Sequence, residues 1–146
     1  MKKLSFLVSF FLLTISAIPL FAQTYSKGER VEAFWQGSWY KSNVLENVKP
    51  GFYKIHFDGY WASREEVLPQ DRIRPIAQRT QPDLNSLKSG DKIEFLEGDH
   101  WKPAAFVELQ GKKALIRYAD GEKSKDKWIN ASQMSQVSAP ASSPSK

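Results

Sequence analysis

From about residue 24 onward the apolar positions fall in short runs with a period of two, as in Val31, Ala33 and Trp35, which alternate with Glu32 and Phe34. Runs of this kind, rich in β-branched and aromatic residues and bounded by Gly, Pro, Asn and Asp, predict β-strands. The first half reads as strands over residues 31–35, 39–48 and 52–57, a fourth ending near Val67-Leu68, and a short fifth at Arg72-Ile73-Arg74 before Pro75. Lys49-Pro50-Gly51 and Asp58-Gly59 supply turns between them. The second half repeats the series over residues 92–96, 101–109, 113–118 and 127–129, with turns at Gln110-Gly111 and Asp120-Gly121. No helical period stands out after residue 23.

The two halves are copies. A shift of 62 positions lays Gly28 on Gly90, Val31 on Ile93, Trp39 on Trp101 and Asp58-Gly59 on Asp120-Gly121. A shift of 61 lays Tyr53, Ile55 and Phe57 on Ala114, Ile116 and Tyr118, which requires one loop to be a residue shorter. A period this long, present twice, indicates two small domains and not a solenoid. A unit of five short strands, four of which can be picked out in the second copy, is expected to close into a barrel, since closure removes exposed sheet edges. The expected fold class is all-β, two small five-stranded barrels in tandem. Residues 24–76 form the first, 77–89 a linker, 90–134 the second, and the Ser/Pro/Ala-rich residues 135–146 a disordered tail.

The first residues follow another pattern. Met1-Lys2-Lys3 precedes an apolar run over residues 4–13, and Pro19 and Ala22 end the segment. Residues 1–22 therefore read as a signal peptide of the short bacterial kind, with Gln23 as the mature terminus and an exported, periplasmic or secreted destination. An uncleaved membrane anchor over residues 4–22 is the alternative. Loss of Lys2 and Lys3 lowers the net charge from +5 to +3. That is too mild a balance to indicate a nucleic-acid ligand. With no cysteine, the chain has no disulfide, no thiolate chemistry and no cysteine zinc site.

In the first copy the order Val31-x-Ala33-x-Trp35, Gly37-x-Trp39-Tyr40, Tyr53-x-Ile55-x-Phe57-Asp58-Gly59-Tyr60, Arg64-Glu65-Glu66-Val67 and Asp71-x-Ile73 resembles the Tudor and agenet domains of the Royal family of Src-homology-3-like barrels. The resemblance runs from Gly28 to Pro75. It implies an aromatic cage for methylated lysine or arginine at one barrel mouth, with Trp35, Tyr40, Phe57 and Tyr60 as walls and Asp58 near the rim. Poorly hydrated ammonium groups are attracted to aromatic faces by roughly 0.5–2 kcal/mol per ring. The same rings would also serve simply as packing in so small a barrel. In the second copy Glu97 stands for Trp35, Lys102 for Tyr40 and Glu122 for Tyr60, and only Tyr118 stays aromatic, so that copy is expected to have lost its cage.

The function expected is a non-catalytic binding module for a protein or peptide, methylated or cationic. The alternatives are a cell-envelope module stacking glycans on Trp35, Trp39 and Trp61, or a purely structural role. No cofactor is expected, and contact with a membrane only through an uncleaved leader. His56 and His100 have no metal-ligand spacing, and no nucleophile motif is present.

Overall fold

A computed structural model describes residues 23–59 and 64–138. The expected leader, residues 1–22, lies outside the described residues, as do Tyr60, Trp61 and residues 139–146. The elements are β1 (Arg30–Trp35), β2 (Ser38–Lys49), β3 (Phe52–Phe57), β4 (Glu65–Pro69), β5 (Ile73–Pro75), β6 (Arg79–Thr80), β7 (Lys92–Glu97), β8 (His100–Gln110), β9 (Lys113–Asp120), β10 (Lys123–Asn130) and β11 (Met134–Val137). A 3-10 turn at Gln70–Arg72 leads into β5, and one at Ala131–Gln133 leads into β11.

The all-β expectation stands, but the closed barrels do not. The first copy is an antiparallel series in the order β5-β1-β2-β3-β4, and the second runs β11-β7-β8-β9-β10. Among the described residues β4 does not pair with β5, nor β10 with β11, so neither ladder closes on itself. Instead, β2 and β8 pair at Trp39 and Trp101, β6 adds to β11, and all eleven strands join one open sheet. The 3-10 turns carry the last strand of each copy to the opposite edge, onto β1 or β7. The edges are managed without closure. β4 and β5 are short and end in Pro69 and Pro75, which have no N–H to offer, and β10 carries three lysines.

The backbone confirms the duplication. The N–H of Gly28 donates to the Val44 carbonyl at 2.7 Å, and that of Gly90 to Phe106 at 2.8 Å. Ser26 N–H donates to the Glu29 carboxylate at 2.7 Å, and Lys88 N–H to Asp91 at 2.9 Å. Both copies carry a β-bulge at the same place, Val44/Glu46 and Phe106/Glu108. The change of shift from 62 to 61 does not arise in a loop. β2 holds a second bulge between Asn47 and Lys49 that β8 lacks, so Val48 is the extra residue, displaced outward and 49% exposed.

Each copy has its own apolar cluster. Val31, Ala33, Val44, Tyr53, Ile55, Phe57, Leu68 and Ile73 form the first, which Tyr25 joins from outside the strands. The Tyr25 hydroxyl donates to the Ile73 carbonyl at 2.9 Å, and burial chiefly, helped by Glu29, pushes it up to about 12. The second cluster contains Ile93, Phe95, Phe106, Ile116, Ile129 and Met134, against which Leu84 and Leu87 pack.

Between the clusters lies a seam of charge. Glu32 and Glu94, equivalent by the repeat, are both buried. Arg79 reaches Glu32 at 2.6 Å and Glu94 at 2.8 Å, and Arg74 reaches them at 2.7 and 2.8 Å. The Arg74 guanidinium also covers the Trp39 ring at 3.8 Å, and that of Arg79 covers Trp101 at 4.5 Å. Burial would lower the Arg79 pKa, but the hydrogen bonds that Arg79 donates to Glu32 and Glu94 outweigh it and hold the pKa above its ordinary value. The segment read as a linker therefore supplies both a seam residue and β6. The segment read as a tail begins inside β11, where Met134 and Ser135 are buried.

Candidate functional site

Three of the residues singled out from the sequence come together in the first copy. Ala33 pairs with Tyr40, and Ser42 with both Val31 and Phe57, so Trp35, Tyr40 and Phe57 project from one face of β1, β2 and β3. The intervening Ala33 and Ser42 are small and fully buried, which lets the larger rings converge beside them. The Trp35 ring lies 6.1 Å from Tyr40 and 6.1 Å from Phe57, and Tyr40 lies 6.0 Å from Phe57 in an edge-to-face contact. The rings are not equivalent. Phe57 is only 1% exposed and forms the floor, whereas Trp35 and Tyr40 are half-buried and reachable.

Asp58, expected near the rim, carries no free carboxylate. The Asp58 carboxylate is held by both terminal nitrogens of Arg30, one at 3.0 Å. Tyr60 lies outside the described residues. Two groups not anticipated from the sequence stand at the cluster. The Arg64 guanidinium lies over the Trp35 ring at 3.8 Å and donates to Glu66 Oε1 at 2.9 and 3.1 Å. His100, which opens β8 beside the β7–β8 turn of the second copy, stacks on Tyr40 at 4.7 Å.

That turn forms the far wall of a cleft of about 480 Å³ lined by Tyr40, Lys41, Asp58, Gly59, Asp99 and Trp101. His100 Nδ1 lies 3.1 Å from Asp99 Oδ1. Burial, and then the charges of Asp99 and Glu97, raise the Tyr40 phenol above its ordinary pKa. The negative field at Tyr40 therefore comes from the other copy. Nothing in the spacing of either copy alone pointed to this. A contact between Tyr40 and His100 depends on how the copies dock.

The second copy fills the corresponding place with its own ions. Glu97 accepts from Lys102 at 3.0 Å and Lys127 at 3.2 Å, and the Lys102 ammonium lies 5.1 Å from the Tyr118 ring centre. Burial would raise the Glu97 carboxyl, but the bonds from Lys102 and Lys127 outweigh it and hold it below the usual range. Phe95, where the first copy has Ala33, packs on Tyr118 at 5.5 Å. The aromatic opening is thus confined to the first copy.

Among the described residues no group of His, Asp or Glu could hold a metal ion, and the chain has no cysteine. The site offers binding surfaces and not metal or thiol chemistry. Trp39, considered from the sequence as a sugar platform, has one face covered by Arg74.

Residues 28–78 match the family model described as the Agenet domain. The fold of both copies is similar to that of a solved pair of agenet domains from Arabidopsis thaliana AGDP1, with 18% identity, a TM-score of 0.56, and 76% of this chain and 81% of that chain covered. It is also similar to tandem Agenet domain 3-4 of ADCP1, with 19% identity, a TM-score of 0.57, and 76% and 79% covered. At these identities the likeness is one of fold. No curated protein is similar in sequence at a significant level.

Proposed function

We propose that this chain is a binding module whose first copy receives a cationic side chain, a methylated lysine or arginine on a protein or peptide partner, at Trp35, Tyr40 and Phe57. The observation that carries this reading is a cation already there. Arg64 stacks on Trp35 at 3.8 Å, which marks the ring as a place where positive charge is stabilised. An incoming ammonium would use Trp35 and Tyr40 as walls and Phe57 as the floor, each worth about 0.5–2 kcal/mol. Arg64 would turn aside toward Glu66. Tyr60 is proposed as a further wall, and Asp58 and Asp99 as sources of negative field across the cleft. The reader unit is proposed to be residues 24–76, with residues 90–134 as its partner. The chain is further proposed to be exported, with residues 1–22 removed.

The test is a titration of residues 23–146 with trimethyl-lysine, dimethyl-arginine and norleucine peptides, followed by tryptophan fluorescence. Saturable binding of a methylated peptide is expected, with norleucine inert and with Trp35→Ala and Tyr40→Ala each weakening it about tenfold. Equal binding of the norleucine peptide, or binding that persists in Trp35→Ala, would overturn the cage. Export is checked by the terminus of the protein recovered from its host, which should be Gln23.

A further inference from the structure

A groove of about 790 Å³ runs between the β7–β8 ladder and the β9–β10 hairpin of the second copy, away from the aromatic cluster. Its surface includes Lys92, Pro103, Arg117, Ala119, Lys123 and Val137, with Trp39 at the seam end. The volume is within the range usual for small-molecule sites, roughly 300–1,000 Å³.

The repeat explains why it is open. In the first copy Glu32 pairs with Lys41, and Asp58 N–H donates to the Lys41 carbonyl at 3.0 Å, so one row of the sheet holds Glu32, Lys41 and Asp58. Arg30 reaches across that row to the Asp58 carboxylate. In the second copy Glu94 pairs with Pro103, and the strand register, which lays Tyr118 on Phe57, puts Ala119 and not Asp120 where Asp58 stands, so the two Asp-Gly turns aligned by the shift of 62 are one residue out of register. Lys92 takes the place of Arg30. The acid of the cross-strand pair has gone, the cation remains, and the floor has become proline and alanine.

The charges left on the rim favour one sign of ligand. Glu94 is taken by Arg74 and Arg79, and Arg117 is bound to Asp126 at 2.7 Å. Among the described residues Lys92 and Lys123 enter no ion pair, against Glu122 as the remaining acid. We propose that this groove is a second binding site, for a small amphiphile with a flat apolar body and one anionic group, a carboxylate or sulfonate, directed at Lys92. The apolar body lies on Pro103 and Ala119.

The probe is 8-anilinonaphthalene-1-sulfonate, with N-phenyl-1-naphthylamine as its neutral counterpart, titrated into residues 23–146 with the fold checked by circular dichroism. Saturable binding of the sulfonate is expected, unchanged in Trp35→Ala. Ala119→Asp, which rebuilds the first copy's ion pair, should weaken it at least about fivefold and weaken the neutral probe less. Lys92→Glu makes the same comparison should Ala119→Asp fail to fold. The proposal is overturned by absence of saturable binding, by binding that survives both variants, by equal loss of the two probes, or by loss in Trp35→Ala, which would place the probe in the aromatic cluster.

Discussion

Gly59 shows how a single residue joins the copies. Its φ of +79° is in the left-handed region, and a β-carbon added to it would lie 3.0 Å from Asp99 Oδ2 in the turn of the other copy. Gly59→Ala therefore meets two penalties, about 1–2 kcal/mol for the backbone and a displaced Asp99. The expected result is a lower melting temperature together with a shift of the His100 ring resonances, because Asp99 orients that ring against Tyr40. A melting temperature equal to the parent's would show that the loop relaxes freely. The same scale explains what the sequence disclosed of the site. Trp35, Tyr40 and Phe57 were legible because alternation fixes the face on which each projects. The role of Asp58 was not, because its partner Arg30 lies two strands away and nothing in the local pattern distinguishes a free rim carboxylate from a paired one.

At the scale of elements, the strands and their duplication could be read from spacing, since the side-chain period and the turn residues are local properties. Closure could not, because it depends on where the 3-10 turns deliver β5 and β11. β11 was hidden by composition: Ser135 and Gln136 resemble the residues that follow, yet Met134 and Ser135 pair with Phe95 and Glu94. The bulge at Val48 offers a test of the register. Deleting Val48 would give β2 the pairing that β8 already has, so the loss should stay under about 1 kcal/mol. Deleting Lys54 in β3 instead would send each later side chain of that strand to the opposite face and should abolish folding. Circular dichroism melts of the two deletions decide the point; comparable damage from both would mean that Val48 holds the strand in place.

For the whole molecule, the decisive residues are those that contribute to neither apolar cluster. Glu32 and Glu94 recur at the repeat distance on a surface that the two copies share, which the spacing within either copy did not disclose. Arg79 could not be assigned to it, because it lies in a stretch whose composition reads as a connector. Glu32 is 1% exposed and the Arg79 side chain 11%, so removing the guanidinium leaves a buried carboxylate short of donors. Breaking such a pair typically costs about 3–5 kcal/mol, a large share of a small protein's stability. Arg79→Ala should accordingly lower the unfolding free energy by that amount, read as a fall in the denaturant midpoint at an unchanged slope. Arg79→Lys should recover little, since Arg79 donates through Nε and both terminal nitrogens, and a lysine has one ammonium to divide between two acids. The consequence reaches the binding site, because the seam also sets Asp99 and His100 against Tyr40. If Arg79→Ala keeps the parent's midpoint, Arg74 alone satisfies both carboxylates; if it is destabilised but binds methylated peptide as before, the cleft does not depend on how the copies dock.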